Sequence, residues 1–157
     1  MQWTVDLHAH SGYSGGVGTI RLDAIARTMR EKGIHLYGTG DALHPAWSNQ
    51  LKESLQETES GLFQLKGEPG PRFLLQSELV LTAPLTPGAR ARKSVHVILL
   101  LPSFDAIWKV QRLLTLYRVR NTIGRPFVQL KSPADVSRFL DNLLDVDPGI
   151  LTIPADM

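Results

Sequence analysis

The chain has no cysteine among its 157 residues, which excludes a disulfide framework, a thiolate zinc site and a cysteine nucleophile. It also has no apolar run close to the roughly 18–20 residues that cross a bilayer. The N-terminal MQWTVDLHAH has no basic start followed by an apolar stretch, so it does not predict a secretory signal. With 43% hydrophobic and 20% charged residues, the chain can form a buried core. We therefore expect a cytoplasmic protein without membrane association.

Acidic residues are scarce in the middle of the chain. Residues 85–131 contain nine lysines and arginines but only one acid, Asp105, whereas the rest of the chain contains eight basic and fourteen acidic residues. Such asymmetry indicates a surface that binds a polyanion, although a solvated face without a partner explains it equally well. Six of these cations lie in a polar turn or on one side of a predicted helix: Arg90, Arg92, Lys93, Lys109, Arg112 and Arg120.

Hydrophobic periodicity alternates between strand-like and helix-like segments, which predicts an α/β fold. The predicted strands span residues 3–10, 34–39, 72–81, 95–101 and 149–154. The predicted helices span residues 19–33, 48–58, 105–120 and 133–144, and a loop is predicted over 61–71. The apolar run 95–101 favours burial on both faces of a largely parallel sheet.

Histidine and carboxylate side chains cluster at predicted strand ends. His8 and His10 are two residues apart, so on a strand they point the same way and can hold one metal ion. Asp41 and His44 follow the second predicted strand. Glu78 and His96 lie inside otherwise apolar strands, where an ionisable group is costly unless it is paired or bound to a cation. The pattern predicts a metal site.

Each of these residues also has a simpler interpretation. Asp41 follows Gly40 and suits a turn, and His44 before Pro45 can shape a loop. Glu78 can pair with a basic neighbour instead of a metal. Trp47 suits packing as well as it suits base stacking. His35 begins a strand and is interpreted as a surface residue.

The ordered motifs DLHAHS, GTGDALHPAW, SELVLT, VHVILLLPSFDAI, GRP and IPA resemble the PHP family, named for polymerase and histidinol phosphatase, and within it the endonuclease Q-like proteins. The resemblance implies a distorted (β/α) barrel with two or three divalent ions, zinc or manganese, at the C-terminal strand ends. It also implies a DNA repair nuclease that nicks DNA 5′ to a deaminated base, such as uracil or hypoxanthine, or to an abasic site. DNA is then the expected partner of the basic residues.

The resemblance assigns roles to individual residues. His8 and His10 match the first metal motif, and Asp41 matches the aspartate of the second, with His44 as a nearby candidate ligand. Glu78 matches a carboxylate that often bridges two metals, and together with Asp41 it is the expected catalytic pair. The histidine that follows in the family pattern corresponds to His96.

The sequence departs from the family pattern at three places. Gly16 stands where many members have a histidine, and Asp156 stands where a histidine commonly follows Pro-Ala; an aspartate can ligate the same metal through oxygen. A late Asp-x-His pair would lie beyond Met157. Since the chain stops directly after a predicted strand, we expect residues 1–157 to be the N-terminal portion of one PHP domain, inactive in isolation.

Two other functions remain open from the sequence. One is a PHP-type phosphatase or phosphoesterase that acts on a small molecule at the same metal site; the nine cations favour DNA over so small a substrate. The other is a DNA-binding module that has lost its chemistry, which Gly16, Asp156 and the early end of the chain would permit.

Overall fold

The computed structural model describes residues 1–15, 18–120 and 124–156, with the backbone alone of Asp156. Gly16, the position without the family histidine, lies outside these ranges. Eight strands and four α-helices follow in chain order: β1 (Val5–Asp6), α1 (Leu22–Lys32), β2 (Leu36–Gly38), α2 (Pro45–Ser54), β3 (Leu55–Glu59), β4 (Leu62–Leu65), β5 (Arg72–Pro84), β6 (Arg92–Leu101), α3 (Phe104–Leu116), β7 (Phe127–Gln129), α4 (Pro133–Val146) and β8 (Leu151–Asp156).

The strands form one curled, eight-stranded sheet around the long central strand β5. The start of β5, residues 72–74, pairs with β2 in parallel and with β4 in antiparallel orientation. Residues 75–84 of β5 pair with β6, and residues 80–82 also pair with β7. β1 extends the sheet beyond β2, and β8 extends it beyond β6. Mixed α/β architecture is as predicted.

The sheet is mixed rather than largely parallel, so that prediction was wrong. β5 and β6 are antiparallel over ten paired positions, from Leu75 opposite Leu101 to Pro84 opposite Arg92. Only the turn over 85–91 joins them, and so short a connection cannot return the chain to a parallel start. β8 is antiparallel to β6 in turn.

Several element boundaries also differ from the predictions. β1 is two residues long instead of eight, because the chain beyond Asp6 bonds to side chains instead of to a neighbouring strand. The predicted helix 48–58 ends at Ser54 and gives way to β3, and the predicted loop 61–71 contains β4. β7 was not predicted; three residues are too few for a periodic signal.

Helix starts and stops follow local sequence signals. Ser103 and Ser132 cap α3 and α4 by accepting a hydrogen bond from the backbone N–H three residues ahead. Pro133 opens α4, where its missing N–H is not needed. α1 ends at Gly33, which has a left-handed φ of 68°. These helices bury apolar stripes against the sheet, with Phe139 and other core residues fully enclosed.

The core lies between the sheet and the helices and contains the apolar residues of β5 and β6. Within the described ranges, no helix combines the length and apolar character needed to span a membrane. The buried polar residues are concentrated where β1, β2 and β5 meet: Ser11, Thr39, Asp41, Gln76, Ser77 and Glu78. This concentration marks the candidate site.

Candidate metal centre

Glu78 is the centre of a cluster of three histidines. Its side chain projects from β5 and is 3% exposed. One carboxylate oxygen, Oε2, lies 3.2 Å from Nε2 of His8 and 3.2 Å from Nε2 of His10. The other, Oε1, lies 2.5 Å from Nδ1 of His96 on the neighbouring strand β6. Glu78 therefore contacts imidazoles from two separate parts of the chain.

Burial raises the pKa of the Glu78 carboxyl group, but the hydrogen bonds from His96 and His8 and the charges of His8 and His10 lower it by more. Its pKa therefore lies below the usual glutamate value. The carboxylate form is the one that can act as a metal ligand.

His8 and His10 converge although they do not lie on a strand, so the predicted strand alternation is not what brings them together. Beyond β1 the amide of Ala9 donates to Oε1 of Gln76, and the amide of Ser11 donates to Oδ2 of Asp41. These bonds to buried side chains hold the segment extended. The two imidazole rings then meet edge to face, with centroids 5.3 Å apart.

Asp41 follows β2 in an uncommon left-handed backbone conformation with φ 50°. Its Oδ2 accepts hydrogen bonds from both the amide and the hydroxyl of Ser11, each 2.6 Å long. Its Oδ1 lies 3.7 Å from Nδ1 of His10, too far for a hydrogen bond. A strained backbone at such a residue is typical of functional sites, where the surrounding contacts maintain it.

His44 lies beside the cluster, next to Asp41 in the fold. It precedes α2, and its ring packs on that of Tyr13 with centroids 4.4 Å apart. Burial lowers the pKa of His44, and the nearby charge of Asp41 offsets part of this effect. Its Nδ1 is buried, and no described residue forms a hydrogen bond with it. The structure thus places His44 near Asp41 without assigning it a ligand role.

Asp156 is the last candidate ligand. Its backbone lies in β8 directly opposite His96 of β6, which brings residue 156 to the strand position beside the cluster. Its side chain lies outside the described part of the structure.

The donor set fits a divalent metal ion. His8, His10 and Glu78 each offer a ligand atom, and these atoms all lie within 4.8 Å of one another. Nδ1 of His10 and Oδ1 of Asp41 are buried and have no hydrogen-bond partner in the described part of the chain, a costly arrangement that a bound cation would relieve. Imidazole and carboxylate ligands without thiolate suit Zn²⁺ or Mn²⁺.

The six residues predicted to bind DNA differ in whether their side chains interact with other residues of the chain. Arg92, predicted to lie in a free turn, belongs to β6, and its guanidinium donates to the carbonyls of Thr82 and Leu130. Lys109 pairs with Asp105 at 3.0 Å. Arg112 lies over the ring of Trp108 at 4.8 Å. The other three are exposed and make no ion pair with a described residue: Arg90, Lys93 and Arg120.

Sequence reasoning missed three residues that shape the site: Ser11, Gln76 and Gly124. Ser11 and Gln76 are buried polar residues that bond to the segments on which the ligands lie. Gln76 could have been noticed as a second polar residue two positions before Glu78, in an otherwise apolar strand. Trp47, in contrast, is resolved as a packing residue: it is 3% exposed and its Nε1 donates to the carbonyl of Gly40.

Comparisons with known proteins show that the chain is similar to solved structures of a lesion-specific endonuclease. No family model matches it. An uncharacterised protein of Methanocaldococcus jannaschii is 28% identical over 128 residues, which cover 80% of this chain and 13% of that protein. The crystal structure of the lesion-specific endonuclease PfuEndoQ of Pyrococcus furiosus superposes with a TM-score of 0.73 at 27% identity, over 96% of this chain and 34% of that one.

A second solved structure is endonuclease Q in complex with a 27-mer duplex that has an abasic lesion at the active site. It superposes with a TM-score of 0.71 at 27% identity, over 94% of this chain and 33% of the other. The chain thus spans about one third of the length of these two endonucleases and a smaller part of the curated relative. Fold and sequence similarity together make it an endonuclease Q-like chain over nearly its whole length.

Proposed function

From this relationship to endonuclease Q, we propose that the chain is the N-terminal portion of a PHP-type barrel in a metal-dependent DNA repair endonuclease. The observation that carries the proposal is the buried carboxylate of Glu78, which His8 and His10 approach from the segment after β1 and His96 approaches from β6. A hydrophobic core gains nothing from such a group, whereas a hydrolytic metal centre requires it.

The proposed metal ligands come from separate segments of the chain. His8, His10 and Glu78 would hold one ion, and His96, which contacts the Glu78 carboxylate, would be a ligand of a second. Asp41 would complete the site through its unpartnered Oδ1. When bound, divalent ions of this kind acidify a water and stabilise the leaving oxygen of a phosphodiester.

Asp41 and Glu78 are the proposed catalytic carboxylates. Ser11 holds Asp41 by two hydrogen bonds to Oδ2, which leaves Oδ1 directed to His10. His44 and Asp156 are proposed as further ligands: the first has a buried, unpartnered Nδ1 close to Asp41, and the second has its backbone opposite His96.

The proposed substrate is duplex DNA with a deaminated base or an abasic site, cut 5′ to the lesion. The bound duplex of the endonuclease Q complex supports DNA as the partner. The excess of basic residues in 85–131 provides a surface for the phosphate backbone, for which a small phosphate ester has no need.

The test is nicking by the full-length protein of three matched duplexes, containing one abasic site, one uracil or no lesion. Wild-type protein with Zn²⁺ or Mn²⁺ is expected to nick the lesion-containing strand and to spare the intact duplex. Glu78→Gln, which removes the charge but keeps the shape, should reduce nicking by at least about 100-fold. Glu53→Gln on the exposed face of α2 is the matched control and should retain full activity.

Two results would overturn the proposal. Hydrolysis of a small phosphate monoester without nicking of any duplex would instead indicate a phosphatase. Tight DNA binding with no hydrolysis of either substrate, at any tested metal, would indicate a binding module.

A further inference from the structure

Gln76 links the two chain segments that hold the candidate ligands. It lies on β5 two residues before Glu78, on the same face of the strand, and it is fully buried. Its side-chain oxygen Oε1 accepts hydrogen bonds from the amides of Ala9 and Gly40, each 3.1 Å long. Ala9 separates His8 from His10, and Gly40 precedes Asp41. One oxygen atom therefore holds both segments.

The surroundings of Gln76 leave little room for another arrangement. Its backbone N–H donates to Oγ1 of Thr39 at 3.1 Å. A Cβ atom at Gly38 would lie 2.8 Å from Oε1 of Gln76, so a larger residue at position 38 would require this side chain to move. Gly40 has φ 66°, and a Cβ there would lie 2.7–2.9 Å from backbone atoms of Ala9 and His10. The two segments thus pack backbone to backbone at Gln76.

The two polar atoms at the end of the Gln76 side chain differ in their hydrogen bonding. Oε1 accepts two hydrogen bonds, whereas Nε2 is buried and has no hydrogen-bond partner among the described residues. A buried amide nitrogen without a hydrogen-bond partner is unfavourable for the fold. The contribution of this side chain to the site is therefore the acceptor, which an apolar residue of the same size would lack.

We propose that Gln76 is a positioning residue of the metal centre, which fixes His8 and His10 relative to Asp41 by accepting from both segments at one oxygen. The inference rests on the proposed metal site and adds to it a residue that need not touch the ion. Loss of a partner that orients ligands typically costs about 10- to 100-fold in metal affinity.

The test compares Gln76→Met with Gln76→Glu in the full-length protein, by Zn²⁺ and Mn²⁺ titration. Methionine keeps the length and removes the acceptor, so the affinity for metal should fall about 10- to 100-fold. Glutamate keeps the acceptor, replaces the unpartnered nitrogen with a second oxygen and adds a negative charge near the site, so its affinity for the cation should equal or exceed that of the wild type. Gln64→Met on β4 is the matched control and should leave the affinity unchanged.

Amide hydrogen exchange of the metal-free proteins gives a second readout. The amides of Ala9 and Gly40 should exchange faster in Gln76→Met than in the wild type, and at near wild-type rates in Gln76→Glu. Wild-type affinity in Gln76→Met, or an equal loss in both variants, would overturn the inference. Failure of the wild-type protein itself to bind either ion would instead overturn the proposed metal centre, and this inference with it.

Discussion

Gly124 lies directly against the carboxyl group of Asp41: a Cβ atom at residue 124 would overlap Cγ, Cβ and Oδ1 of the aspartate. The amide of Gly124 donates to the carbonyl of Tyr13, and its carbonyl accepts from the hydroxyl of Ser77. The glycine is thus held against the aspartate from two sides. The GRP motif therefore contributes to the site through the absence of a side chain.

Gly124→Ala should displace Asp41 and reduce nicking of lesion-containing DNA by at least about tenfold, because an extra methyl group cannot share space with the carboxylate. The nicking rate and the affinity for metal are measured for this variant and for a control. Gly88→Ala is the control, since a Cβ there meets nothing within 4 Å, although its φ of 74° adds some backbone strain. Equal activity of both variants would show that Asp41 can move freely.

His8→Asn should lower the affinity for Zn²⁺ by at least tenfold, because it removes the imidazole nitrogen that faces Glu78 at 3.2 Å. His35→Asn is the matched control. His35 accepts from the amide of Thr4 through Nδ1, and an asparagine oxygen can take over that bond. Metal titration followed by elemental analysis measures both variants. Equal metal content in the two would contradict the assignment of His8.

Trp47→Phe should destabilise the protein by about 1–2 kcal/mol, because the indole N–H of this buried residue donates to the carbonyl of Gly40. Loss of this hydrogen bond also removes a contact to Gly40, the residue before Asp41. The affinity for metal should therefore fall together with the stability. Urea unfolding of the metal-free protein measures the first effect. Trp3→Phe, at a residue 45% exposed, is the control and should change neither quantity.

The sequence allowed most of the candidate ligands to be predicted, because ionisable residues in apolar strands stand out. Glu78 and His96 are such residues, and the structure pairs them across β5 and β6. The mixed sheet was missed because the apolar run of β6 looks the same whether a strand is parallel or antiparallel. The role of Gln76 depends on amides 67 and 36 residues away, which no local pattern contains.

Arg92 and Lys93 are adjacent in sequence, but their substitutions should have different effects. The Arg92 guanidinium donates to two backbone carbonyls at 2.6 and 2.8 Å. Arg92→Ala should therefore cost about 1–2 kcal/mol of stability, the lower part of the range for charged hydrogen bonds because the residue is exposed. Lys93→Ala should leave stability unchanged, as should Arg90→Ala.

The same residues should differ in their effect on DNA binding. Each phosphate contact makes the slope of log affinity against log salt more negative by about 0.9. Arg90, Lys93 and Arg120, which make no ion pair with a described residue, should therefore give a combined slope of roughly −3. Arg90→Ala/Lys93→Ala should make the slope shallower by about 2 at unchanged stability. Salt titration of duplex binding by the full-length protein measures this, with Lys52→Ala on α2 as the control. A double variant that keeps the wild-type slope would show that the turn between β5 and β6 does not contact DNA.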